Sequence, residues 1–96
     1  MTATRTFRLV AEVSSDDPSR LRAVLEEFIG GPVLPEPRGY RVEGTVLGDS
    51  ARDLNRQLLT ALRRVERRTR LRSAWTADGV TERFFDYASR GSRPAD

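Results

Sequence analysis

The chain has 96 residues, 38% hydrophobic and 32% charged, which suits one globular domain with a modest core and little room for an enclosed active site. It has no cysteine and no histidine, and all 17 basic residues are arginine. These absences exclude disulfides, thiolate nucleophiles, zinc–sulfur centres, imidazole bases, Schiff-base lysines and the P-loop lysine.

The net charge of +3 hides an asymmetry. Residues 49–72 carry eight arginines against Asp49, Asp53 and Glu66, or 8 − 3 = +5; the remainder carries nine arginines and eleven acids, or −2. The first residues lack an apolar run, and no stretch approaches a membrane span, so a cytoplasmic location without a membrane partner is expected. Exclusive use of arginine, which has GC-rich codons, suggests a bacterial source.

Thr4 to Val13 alternates with period two and reads as a strand. Ser14 to Pro18 punctuates the chain, with Asp17 as an N-cap and Pro18 at the first helical position. Leu21, Val24, Leu25, Phe28 and Ile29 then form one apolar helix face, which Gly30-Gly31 ends. Residues 32–39 hold three prolines. They forbid a central strand but allow a short edge strand at Val33–Leu34. Tyr40 to Leu47 reads as a strand with Tyr40, Val42, Gly44 and Val46 on one side. Its partner face would hold Arg41, Glu43 and Thr45 beside Arg8, Val10 and Glu12.

Ser50 opens a long helix, with Asp53 three residues on in a capping-box pattern. The periodicity carries this helix to about Arg70. Leu71 to Ala77 is extended again, and Asp78-Gly79 is a hairpin signal, so Val80 to Tyr87 returns as a strand. The alternative is a short helix from Thr81 with Phe84, Phe85 and Ala88 packed inward. Residues 1–88 form a single domain on this reading, and residues 89–96 a polar, disordered tail. Pairing of the proline-rich segment with Tyr40–Leu47 gives the order β-α-β-β-α-β. The fold class is then α+β, a ferredoxin-like sheet with two helices on one face and an extra C-terminal element.

On the long helix, Ala51, Leu54, Leu58, Ala61, Leu62, Val65 and Thr69 form the apolar band. Arg52, Arg56, Arg63, Arg67 and Arg70 fall within an arc of roughly 60° on the other side. Leu59 lies inside that arc and is expected to face solvent. A solvated helix face is the simplest account, with Glu66 pairing to Arg63 and Arg70. Against it, one glutamate cannot neutralise so many arginines, and guanidinium forks suit carboxylate or phosphate.

Other chemistries fare worse. The acidic loop Ser14 to Pro18 would repel a phosphate. Asp16, Asp17, Asp49 and Asp53 offer hard oxygen ligands for a cation, but helix capping already explains their positions. Arg38-Gly39-Tyr40 matches only the opening of an RNA-recognition motif, and the mixed-charge sheet face is no stacking platform. Neither a cofactor nor a catalytic residue is expected. The sequence therefore points to a small non-enzymatic interaction or assembly domain. Its binding residues would be Arg52, Arg56, Leu59, Arg63, Arg67 and Arg70, meeting an acidic protein surface or a second copy in a homodimer. The alternative is nucleic-acid backbone binding through the same helix.

Overall fold

The computed structural model describes residues 4–86. The elements run β1 (Arg5–Ser14), a 3₁₀ turn (Pro18–Arg20), α1 (Leu21–Phe28), β2 (Val33–Glu36), β3 (Gly39–Gly48), α2 (Ala51–Val65), β4 (Arg70–Ala77) and β5 (Val80–Asp86). This is the expected β-α-β-β-α-β order with an added fifth strand. The sheet order is β2-β3-β1-β4-β5, and all named pairings are antiparallel. Tyr87, Ala88 and the expected tail lie outside the described residues.

Period-two alternation sets the sheet faces. Phe7, Leu9, Ala11 and Val13 of β1 are buried under the helices, with Val42 of β3 and Leu71, Trp75 and Ala77 of β4 beside them. Leu21, Leu25 and Ile29 close the core from the α1 side, and Leu54, Leu58 and Leu62 from α2. Burying each such side chain is worth roughly 1.5–3 kcal/mol. Phe7 and Trp75 meet edge to face, with centroids 6.5 Å apart and planes at 82°.

The proline-rich segment takes the sheet edge, as expected. Pro35 stands opposite Tyr40 on the edge strand β2, where a residue without an N–H is tolerated. The other edge is β5. Asp78 (φ 54°) and Gly79 (φ 78°) both adopt the left-handed region, which is what a two-residue hairpin turn requires. The strand reading of residues 80–86 therefore holds, and the helical alternative is overturned. In a strand, consecutive phenylalanines point to opposite faces. Phe84 is half-buried on the helix side, and Phe85 lies 61% exposed on the open side.

Two helix ends differ from expectation. Asp17 accepts from the Ser19 hydroxyl at 2.9 Å and caps no helix N–H, and Pro18 starts a 3₁₀ turn ahead of α1. More consequential, α2 stops at Val65, one turn short of Arg70. The Glu66 N–H still bonds Leu62 O at 3.0 Å, but Glu66 itself is extended. Its carbonyl accepts both the Thr69 N–H (3.2 Å) and the Thr69 hydroxyl (2.7 Å), closing a turn into β4. Thr69 is buried as the apolar band implied, but as a turn residue and not as a helical one.

Candidate functional site

The shortened helix redistributes the six expected binding residues. Arg52 and Arg56 remain exposed on α2. Arg63 bends back, and its Nε and Nη2 both donate to Thr69 O at 3.2 Å, so this guanidinium clamps the turn after the helix. Arg67 sits exposed in that turn. Arg70 begins β4 opposite Ser14, in register with Arg72 opposite Glu12, and so belongs to the open sheet face. The sheet separates it from Arg52 and Arg56. The five-arginine arc is therefore not a single surface.

Leu59 also differs. It is half-buried and packs at the margin of the core, whereas the helical wheel pointed it to solvent. The reason is β5. This strand extends the sheet beyond β4 and brings Phe84 to the flank of α2 on which Arg52, Asn55, Arg56 and Leu59 recur at helical spacing. Together with Asp49, Ser50 and Asp53, these residues line an open groove of about 570 Å³.

The start of α2 is firmly built. Ser50 Oγ accepts the Asp53 N–H at 3.1 Å, as the capping pattern predicts. The Asp53 carboxylate does not return to the cap. It accepts from Arg56 Nη2 at 2.6 Å and from Gln57 Nε2 at 3.0 Å. Arg52 has no ion-pair or hydrogen-bond partner among the described residues.

The floor of the groove is a residue that sequence reasoning passed over. Asn55 is only 5% exposed. Its Oδ1 accepts from the Ser73 hydroxyl at 2.5 Å and from the Trp75 indole N–H at 3.1 Å. An indole nitrogen can only donate, so the carbonyl oxygen of Asn55 must face Trp75. The two N–H groups of Nδ2 are then turned away from that pair, and they have no partner among the described residues. A polar residue at an otherwise apolar helix position, seven before Leu62, was the available signal.

On the opposite side of the sheet, Glu12 lies between Arg41 (3.7 Å) and Arg72 (3.6 Å), and Arg41 also reaches Glu43 at 3.3 Å. Arg72 stacks over Phe85 with 5.6 Å from its guanidinium carbon to the ring centroid. The mixed-charge face expected from the sequence thus carries a connected set of ion pairs centred on Glu12, Arg41, Glu43 and Arg72. Among the described residues no group of three or more acidic side chains is placed to hold a metal ion, and no helix is long and apolar enough to cross a membrane.

No family model matches the chain, and no curated protein or solved structure is significantly similar to it.

Proposed function

We propose that this protein is a non-enzymatic interaction domain that binds an acidic segment of a protein partner along the groove between α2 and β5. The reading rests on one observation: exposed Arg52 and Arg56 border a groove walled by half-buried Leu59 and Phe84. Guanidinium groups beside partly covered apolar side chains are the usual makings of an interface centre with a polar rim. The binding residues are then Arg52, Arg56 and Leu59 of the original set, joined by Asn55 and Phe84. Arg63 has a structural duty, and Arg70 faces the other way.

The same geometry weakens the nucleic-acid alternative. Backbone binding draws on many arginines acting together. Here they are split between the helix, the turn and the far side of the sheet, and the groove balances Arg52 and Arg56 with Asp49 and Asp53.

A fluorescent library of acidic peptides tests the proposal, with an oligonucleotide measured in parallel. Wild-type protein is expected to retain peptides that combine acidic and apolar residues. Leu59→Asp and the double variant Arg52→Glu, Arg56→Glu should lose them. Equal retention by the double variant would discard the groove. Oligonucleotide binding with a steep salt dependence, and no peptide binding, would favour phosphate recognition instead.

A further inference from the structure

We infer that the floor of this groove is a carboxylate seat, made by Asn55 Nδ2 and the Arg52 guanidinium, which takes one aspartate or glutamate side chain of the acidic segment. This inference rests on the proposed partner class and names the group recognised.

Two independent features converge. First, Asn55 is nine-tenths buried and cannot turn over, because its Oδ1 is held by donors from Ser73 and Trp75. The amide nitrogen is therefore the polar atom left for a groove occupant. A buried amide whose donors go unmatched carries a desolvation cost that an acceptor would relieve. Second, Arg52 lies three residues earlier on the same helix face and has no partner among the described residues. An amide nitrogen and a guanidinium only donate, and a carboxylate only accepts. Phe84 pairs across the ladder with Ser73, the residue that holds Asn55, so an apolar wall stands directly beside the seat. Leu59 supplies the other wall.

The charges nearby sharpen the specificity. Asp53 is occupied by Arg56 and Gln57. Asp49 remains at the groove mouth, where its backbone carbonyl accepts from Arg5 Nη2 at 3.3 Å. Two acids therefore offset the two arginines of the lining, so net charge alone does not select the occupant. What remains is directed donation to a single carboxylate, flanked in the ligand by an apolar residue that fills the space between Leu59 and Phe84.

The test is an NMR titration of ¹⁵N-labelled protein with two capped peptides, acetyl-Leu-Glu-Leu-amide and acetyl-Leu-Gln-Leu-amide. The glutamate peptide should shift the Asn55 side-chain amide pair saturably, and the glutamine peptide should bind at least about tenfold more weakly. Arg52→Gln, at an exposed site, should weaken the glutamate peptide by about tenfold. Asn55→Asp keeps the acceptor for Trp75 but removes the donor, and it should abolish binding. The Trp75 indole N–H resonance reports whether that variant is folded, and Arg52→Gln carries the test if it is not. Binding of acidic library peptides with the Asn55 amide pair unmoved, or unaffected by Arg52→Gln, would overturn the seat and leave the proposed interface standing. Failure of every acidic peptide would overturn both.

Discussion

Asn55 on α2 accepts the indole N–H of Trp75 on β4 at 3.1 Å, and this hydrogen bond crosses the interior between helix and sheet. Trp75 is fully buried, so its N–H has to find a partner inside the protein. Ser73 shares the arrangement, accepting from Trp75 at 3.2 Å while donating to Asn55. The triad fixes the rotation of α2 over the sheet, because a helix turned by one residue would take Asn55 out of reach.

Asn55→Ala should therefore destabilise the fold by about 1–3 kcal/mol through the lost acceptor. For a domain of this size each kcal/mol lowers Tm by roughly 4–8 °C. Thermal and urea unfolding of the variant measure this. A midpoint unchanged from wild type would mean that Ser73 alone satisfies the indole.

Arg63 and Arg52 lie near one another on the helical wheel but should respond differently. Arg63 holds Thr69 O with two N–H donors, so Arg63→Gln should cost about 1 kcal/mol. Arg52 is exposed and bonds no described residue, so Arg52→Gln should stay within about 0.5 kcal/mol of wild type. Urea midpoints for the two variants decide the matter, and equal losses would contradict a structural role for Arg63 that Arg52 lacks.

Gly39 and Gly79 offer a second contrast. A Cβ on Gly39 would lie 1.7 Å from Val13 O, a collision with the backbone of the neighbouring strand. Gly39→Ala should force β3 away from β1 and cost several kcal/mol, of order 3. Gly79 has nothing within 4 Å of a built Cβ, but its φ is +78°. Gly79→Ala should cost only about 1–2 kcal/mol of backbone strain. If hydrogen exchange showed the hairpin opened as widely by Gly79→Ala as the β1–β3 ladder by Gly39→Ala, this assignment would fail.

Most of the fold was legible in the residues because local signals agreed with the tertiary arrangement. Alternation in β1 and β3, the Asp78-Gly79 turn, the Ser50 cap and the prolines at the β2 edge each act within a few residues. The end of α2 was not legible. Periodicity runs on through Thr69, and no glycine or proline marks Val65. What stops the helix is the Thr69 hydroxyl returning to Glu66 and the demand that Leu71 enter the core as a strand residue.

The candidate site divides along the same line. Arg52, Arg56 and Leu59 share a helix face by spacing alone, and the sequence determined that much. It also determined the layered α+β architecture, since helical and strand periods are properties of the chain itself. Only the tertiary structure decided that β5 extends the sheet beyond β4 and that Leu59 packs against the core. It also decided that Arg63 bends back onto Thr69, that Arg70 lies on the open sheet face, and that Asn55 turns its carbonyl oxygen to Trp75. Those outcomes depend on hydrogen bonds and packing between residues 6 to 25 positions apart, a separation that local periodicity does not encode.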